Sequence, residues 1–248
     1  MKKYIFGNFK MNKTLKEVEI FTEKFLPLVA NSKNEIAIFP SFVNLMYIKQ
    51  KLLKEKVLVG AQNVSSEAEG SLTGEVSAKM LKDIDTDYVI IGHSERRKIF
   101  LEKNDCINKK IKEALGNGLK VVLCLGETKY ERQNNKYKQA VEKEVSEALK
   151  GLYENELKNI IIAYEPVWAI GTGKVPTTKN IEEMAMIIRN VISHEYSDKA
   201  SKNMRILYGG SVKSSNAKNF ANVEGINGLL VGGASLDAEE FARICNIK

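Results

Sequence analysis

Residues suited to acid–base chemistry lie directly after several short apolar runs of the sequence: Asn8, Lys10, His93, Ser94, Glu95 and Glu165. A carboxylate held above a water-poor site is a candidate general base, and a neutral histidine can donate a hydrogen bond to an oxygen. A fixed lysine can stabilise negative charge that develops on such an oxygen. Each residue also has a structural reading as a surface charge or a packed histidine. The pattern therefore predicts proton-transfer chemistry only if the fold brings these side chains together.

Glu165 is followed by Pro166, and a residue before proline is biased towards extended backbone, so its carboxylate should stay at the end of its apolar run. Residues 166–178 then combine an apolar centre around Trp168 with a glycine tip at Gly171 and Gly173. A loop of this composition predicts a lid that closes over a ligand by hinge motion. The alternative is that Trp168 packs into a small satellite core.

Two glycine pairs occur late in the chain, Gly209–Gly210 before Ser211 and Gly232–Gly233. Backbone N–H groups beside glycine can approach a ligand closely, and those at a helix N-terminus favour an anion. Either pair alone could simply form a tight turn. Because both pairs follow the last two apolar runs, the sequence predicts a phosphate-binding cradle.

The elements that must position these residues alternate along the whole chain. Eight apolar runs predict strands, at residues 4–9, 35–39, 57–61, 88–92, 120–125, 159–164, 205–208 and 228–231. Amphipathic stretches between them predict helices, at 15–29, 43–53, 79–84, 105–115, 129–152, 181–196, 216–220 and 238–245, the first after a capping box of Thr14 and Glu17.

Repeated strand–helix units with almost wholly apolar strands predict a parallel sheet covered by helices. Eight units favour a closed α/β (β/α)8 barrel over an open doubly wound sheet, whose first strand should lead into a glycine-rich dinucleotide motif instead of Asn8 and Lys10. No linker or composition break interrupts the chain, so we expect a single domain over residues 1–248. In such a barrel the carboxyl ends of the strands form the active face.

Two connections on that face, residues 62–77 and 166–178, are too long for simple turns, and such loops are usually functional.

The charge balance, 38 Lys and Arg against 31 Asp and Glu, gives a net charge of +7, but the basic residues are dispersed on helix faces. Nucleic-acid binding requires a contiguous basic stripe, so we expect no nucleic-acid partner. No stretch is long and apolar enough for a membrane span, and three widely spaced cysteines favour the reducing cytoplasm and no metal site.

Six segments, in order along the whole chain, resemble motifs of the triosephosphate isomerase family: NFKMN at 8–12, AQN at 61–63 with TGE at 73–75, GHSERR at 92–97, AYEPVWAIGTGK at 163–174, YGGS at 208–211 and GG at 232–233. The histidine and lid segments are the most specific. Phe9 departs from the tryptophan more common in the family, a conservative change at a hydrophobic position.

The resemblance implies a TIM barrel that interconverts dihydroxyacetone phosphate and glyceraldehyde 3-phosphate without a cofactor or metal. It implies Glu165 as the base, neutral His93 as the donor to the carbonyl oxygen, and Lys10 and Asn8 as stabilisers of the enediolate, with Glu95 in support. The carboxylate base with a neutral histidine, and loop gating, are established features of this family.

The resemblance further implies that the phosphate is held by backbone N–H groups of four residues: Gly171, Ser211, Gly232 and Gly233. Lys10 and Asn8 also contact the substrate in this scheme. It implies a homodimer in which the loop around Thr73 projects into the partner's pocket.

Two other functions remain possible from the residues alone. Another phosphate-binding barrel, such as a sugar-phosphate epimerase, would share the glycine cradle but lacks the combination of His93 with the Glu165 lid segment. A non-catalytic basic barrel that acts as a binding protein would be favoured by loss of Glu165, His93 or Lys10, all of which are present.

Overall fold

Eight parallel strands close into one barrel in a computed structural model that describes residues 2–170, 172 and 174–248. The strands pair in chain order, and the last returns to the first. Their bounds are β1 Tyr4–Asn8, β2 Glu35–Phe39, β3 Leu58–Ala61, β4 Tyr88–Ile91, β5 Lys120–Leu125, β6 Ile160–Tyr164, β7 Arg205–Gly210 and β8 Gly228–Val231. The predicted (β/α)8 architecture is confirmed.

Helices cover the outside of the barrel. In the described part of the chain they are α1 Leu15–Val29, α2 Phe42–Lys51, α3 Ala78–Asp83, α4 Ser94–Ile99, α5 Asn104–Gly116, α6 Lys129–Gln133, α7 Tyr137–Leu149, α8 Thr178–Glu195, α9 Asp198–Asn203, α10 Ser214–Ala221 and α11 Ala238–Cys245. Short 3-10 helices span Glu154–Asn159 and Gly233–Leu236.

The apolar core has two parts because successive side chains of a strand point to opposite faces. Ile5 of β1 packs outward against the helices, whereas Phe6 points into the barrel beside Phe39 and Tyr88. Both faces of every strand are therefore buried, which explains the nearly continuous apolar runs in the sequence.

The prediction of one helix over residues 129–152 is wrong. The structure ends α6 at Gln133 and begins α7 at Tyr137, and Asn135 between them has a φ of +55°. Asparagine tolerates this left-handed conformation better than most residues, so the chain turns there although the amphipathic pattern continues. The capping box of Thr14 and Glu17 at α1 is confirmed.

Candidate active site

The carboxyl ends of the strands surround a cavity of about 880 Å³. Seven predicted site residues line it together with Glu165: Asn8, Lys10, His93, Glu95, Ser211, Gly232 and Gly233. Gly171, the remaining predicted binding residue, lies outside the described residues. Strand ends that are far apart in sequence thus bring acid–base and phosphate-binding groups to one mouth.

Glu165 lies directly after β6, and its backbone N–H donates to the carbonyl of Leu125 at the end of β5. Its side chain is only 3% exposed, with Oε2 accepting from the backbone N–H of Ser94 at 2.9 Å. The other oxygen, Oε1, lies 3.1 Å from His93 Nε2. The carboxylate is therefore held at the mouth by the backbone N–H of Ser94, the first residue of α4, with the imidazole of His93 in contact with it.

His93 is the N-cap of α4, and its Nδ1 accepts a hydrogen bond from the backbone N–H of Glu95 at 3.2 Å. Because Nδ1 accepts this bond, the ring nitrogen left to act as a donor is Nε2, which faces Glu165. The N–H groups of Ser94 and Glu95 both lie at the start of α4, next to His93. Only that of Glu95 donates to the imidazole, since the N–H of Ser94 binds Glu165 instead.

Lys10 approaches the same mouth from the loop after β1, with its Nζ 2.5 Å from Glu95 Oε1. Its backbone has a φ of +53°, a left-handed conformation that is costly for a residue with a side chain. Two hydrogen bonds hold this backbone: Asn8 Oδ1 accepts from its N–H at 3.0 Å, and Gln62 Nε2 donates to its carbonyl at 2.9 Å. The ammonium is thereby fixed in place.

The two glycine pairs line the same cavity, close to Glu165 and Lys10. Gly233 begins a 3-10 helix over Gly233–Leu236, so its N–H belongs to a helical N-terminus. A Cβ on Gly209 would lie 3.0 Å from Glu165 Cγ, and a Cβ on Gly232 would lie 3.4 Å from Lys10 Cε. The absence of side chains here allows backbone, lysine and glutamate to share one small space.

The loop after Glu165 packs onto the rim. Trp168 Nε1 donates to Glu127 Oε1 at 2.7 Å, and Ile170 lines the cavity. Burial raises the pKa of Glu127, although the hydrogen bond from Trp168 opposes this. Trp168 is therefore anchored by a polar contact as well as by packing.

Two buried groups border the site without lying at its centre. The Tyr208 hydroxyl has no hydrogen-bond partner among the described residues, and burial raises its pKa. Burial also raises the pKa of the Cys124 thiol, with the nearby Glu165 carboxylate adding to the effect. Cys124 lies inside the barrel among apolar side chains, as expected of a packing residue.

Sequence reasoning did not predict the contacts by which Ser94 and Gln62 hold site residues in place. Ser94 acts through a backbone N–H, which no residue type reveals. Gln62 was considered only as the start of a long loop, yet it is a polar residue directly after β3, and its side chain also donates to Phe39 O at 2.8 Å. The rule that identified Asn8 and His93 at strand ends would have identified Gln62.

Metal ions in proteins are held by groups of side chains such as His, Cys, Asp and Glu. Within residues 2–170, 172 and 174–248, no group of three or more His, Cys, Asp or Glu residues could hold a metal ion. None of the helices described here is both long enough and apolar enough to cross a membrane.

Known proteins of one family match this chain over nearly its full length. The family profile described as triosephosphate isomerase matches residues 3–248. The chain is 46% identical over 245 residues to a protein named triosephosphate isomerase from Dictyoglomus thermophilum, and 45% identical over 242 residues to one from Caldanaerobacter subterraneus subsp. tengcongensis. Each alignment covers 98% of both chains. The chain belongs to the triosephosphate isomerase family.

Proposed function

We propose that Glu165, His93 and Lys10 carry out the reaction of this family, the interconversion of dihydroxyacetone phosphate and glyceraldehyde 3-phosphate through an enediolate. The observation that carries the assignment is the 3.1 Å approach of His93 Nε2 to Glu165 Oε1 while His93 Nδ1 accepts a hydrogen bond. It supports a base and a neutral hydrogen-bond donor side by side at one mouth.

Glu165 is the proton carrier. Its carboxylate exchanges the hydrogen bond of Ser94 and the contact with His93 for the substrate, removes a proton from the carbon beside the carbonyl, and returns it to the neighbouring carbon. A single carboxylate suffices because the two carbons are adjacent. Its burial keeps water from competing for the proton.

Negative charge then develops on the carbonyl oxygen. His93 donates Nε2–H to that oxygen and moves protons between the two oxygens of the enediolate. The Lys10 ammonium and the Asn8 amide stabilise the same charge, and Glu95 orients Lys10 through the 2.5 Å ion pair. Donors that are held in place before the reaction need little reorganisation, which is why such groups lower a barrier effectively.

The glycine cradle binds the phosphate of the substrate. Backbone N–H groups of Ser211, Gly232 and Gly233 donate to it in this proposal, which is supported by the position of these residues in the cavity lining, and Lys10 adds a positive charge from the side of Gly232. The family resemblance implies that Gly171, which lies outside the described residues, binds the same phosphate. Residues 166–178 then act as a lid that closes over the intermediate, which would lose its phosphate if exposed to water.

Turnover of glyceraldehyde 3-phosphate by the purified chain, followed with an NADH-dependent dehydrogenase that consumes the ketose product, tests this assignment. Glu165→Gln should retain the fold and lose nearly all turnover, because an amide cannot accept the proton. A folded Glu165→Gln protein with turnover close to that of the unchanged chain would remove Glu165 from the mechanism.

We also propose a homodimer formed through the loop 62–77. Residues 67–75, including Thr73, form one exposed run, while backbone pairing of Ser65 with Val76 at 2.8 Å holds the base of the loop. Met11, directly after Lys10, is 95% exposed, which favours cover by a second copy near the mouth. Light scattering should give twice the chain mass, and Thr73→Arg should lower it; a monomer at micromolar concentration would contradict the dimer.

The cytoplasm is the proposed location, since glycolysis and gluconeogenesis supply and consume triose phosphates there. The free thiols of Cys106, Cys124 and Cys245 fit a reducing compartment. Cell fractionation with an antibody against the chain tests this location.

A further inference from the structure

We propose that the ion pair of Arg97 and Glu144 is a positioning pair that sets the placement of His93 relative to Glu165. The inference rests on the proposed roles of those two residues. Neither Arg97 nor Glu144 lines the cavity, so any influence on the reaction acts through the loops that they hold.

Arg97 holds the loop that carries His93. Its Nε donates to the carbonyl of Gly92 at 2.8 Å, and a second guanidinium nitrogen donates to Cys124 O at the end of β5 at 3.1 Å. Gly92 has a φ of +73°, and a Cβ there would lie 3.1 Å from the guanidinium. The arginine thus fixes the backbone residue immediately before the catalytic histidine.

The third nitrogen of Arg97 ties this loop to the outer helices. It donates to Asn104 Oδ1 at 2.6 Å and lies 3.3 Å from Glu144 Oε1, on α7. All three guanidinium nitrogens are therefore engaged, and the planar geometry of the group fixes the relative positions of its partners.

Glu144 holds the loop beside Glu165. Its Oε2 accepts from the backbone N–H of Gly126 at 2.9 Å. Gly126 packs so closely on the backbone of Glu165 that a Cβ would overlap the glutamate's carbonyl oxygen. One carboxylate therefore contacts the arginine that holds His93 and the glycine on which Glu165 rests.

Successive contacts join Gly92, Arg97, Glu144 and Gly126. They connect the backbone before His93 to the backbone of Glu165 through residues that do not line the cavity. His93 Nε2 and Glu165 Oε1 are 3.1 Å apart, and a misplacement of about 1 Å can slow a proton transfer by roughly 100-fold. The phosphate cradle after β7 and β8 makes no contact with this pair in the interactions above. Loss of the pair should therefore affect kcat far more than substrate binding.

The test measures kcat, KM and competitive inhibition by inorganic phosphate for Glu144→Ala and Glu144→Gln. We expect Glu144→Ala to lower kcat by about 10- to 100-fold, with KM and phosphate inhibition within a factor of about two. Glu144→Gln should lose less, because its amide oxygen can still accept from Gly126. The imidazole nitrogen chemical shifts of His93 should move in Glu144→Ala, and the chain has only two histidines to assign.

The matched control is Asp87→Asn, which breaks an ion pair at the opposite end of β4, where Asp87 Oδ2 lies 3.0 Å from Lys49 Nζ. It should lower stability without changing kcat or the His93 shifts. Should Glu144→Ala resemble Asp87→Asn in kinetics and spectra, the pair is only structural and the proposal is overturned. Should Glu144→Ala fail to fold, normal kcat in folded Glu144→Gln and Arg97→Lys would overturn it. Whichever result the Glu144 variants give, loss of turnover in Glu165→Gln supports the proposed function. Failure of the positioning proposal can therefore be distinguished from failure of the proposed function.

Discussion

The two ends of β4 show how differently this barrel uses charged groups. At the amino end, Asp87 accepts from Lys49 Nζ at 3.0 Å and from the backbone N–H of Val59 at 2.9 Å. Nearby, Glu35 accepts from the Tyr88 hydroxyl at 2.5 Å and from Lys2 Nζ at 2.9 Å. These polar groups satisfy one another's hydrogen bonds at the amino end of the barrel.

At the carboxyl end, the polar groups converge on a cavity instead. Lys10 is held in a left-handed conformation, Glu165 is buried beside His93, and both glycine pairs line the cavity. The left-handed backbone of Lys10 costs stability, and the proposed role of its ammonium gives a reason for that cost. The amino end of the barrel therefore contributes mainly to stability, whereas the carboxyl end carries the reactive groups, as is general for this fold.

Removal of the lysine from the carboxyl end should have the largest effect. We expect Lys10→Ala to reduce kcat/KM by about 100- to 1000-fold, because it removes a fixed charge from the site of developing negative charge. Lys54→Ala, at an exposed position outside the cavity, is the control in the same assay. Equal effects of the two substitutions would mean that Lys10 contributes only to the general positive field.

Glu165→Asp should have the next largest effect. Shortening the side chain draws the carboxylate back by about 1 Å, and we expect turnover to fall by roughly 100-fold while the fold is retained. Circular dichroism beside steady-state kinetics tests both parts. Near-normal turnover in a folded Glu165→Asp protein would show that the position of this carboxylate does not limit the reaction.

The architecture and most site positions could be predicted from the sequence because they depend on periodic patterns. Alternating apolar runs and amphipathic stretches predicted all eight strands, and strand-end placement predicted Asn8, His93 and Glu165 at one mouth. A closed parallel barrel leaves little freedom in where a strand end points. Resemblance to a family then supplied the chemistry, which periodicity alone does not contain.

Details that depend on single backbone conformations were not predictable in this way. The break between α6 and α7 at Asn135 interrupts a continuous amphipathic pattern, and the short helix α9 carries no strong signal of its own. The hydrogen bond from Ser94 N–H to Glu165, and the support of Lys10 by Gln62, join residues 71 and 52 positions apart. Such contacts depend on tertiary packing that local sequence does not encode.

At the amino end, Tyr88→Phe should lower stability without slowing the reaction. It removes the hydroxyl that donates to Glu35, at an expected loss of about 1 kcal/mol in the free energy of unfolding. Urea unfolding measures this loss, with Tyr130→Phe at an exposed position as the control. A fall in kcat larger than a few-fold in Tyr88→Phe would contradict the separation between the two ends.

The smallest expected effect is a pH dependence of stability at Glu35. Burial raises the pKa of this carboxyl, but the hydrogen bond from Tyr88 and the charge of Lys2 outweigh it, so the pKa in the folded chain lies below the ordinary value of 4.5. The unfolded chain then binds more protons near that pH, and stability increases with pH in this range. The contribution is fully present above pH 4.5 and is lost as the pH falls through the lower, folded-state pKa.

Glu35→Gln removes the titrating group, so the stability difference between the unchanged chain and this variant should be constant near pH 7 and shrink in acid. Urea unfolding between pH 3 and pH 7, about the range over which carboxyl groups titrate, measures the difference. In a Tyr88→Phe background the acid-dependent part should be smaller, because the hydrogen bond is the foremost interaction that lowers the pKa. If the stability difference between the unchanged chain and Glu35→Gln stayed constant down to the lowest pH, Glu35 would contribute packing alone. The stability of the amino end of the barrel would then depend on packing more than on charge.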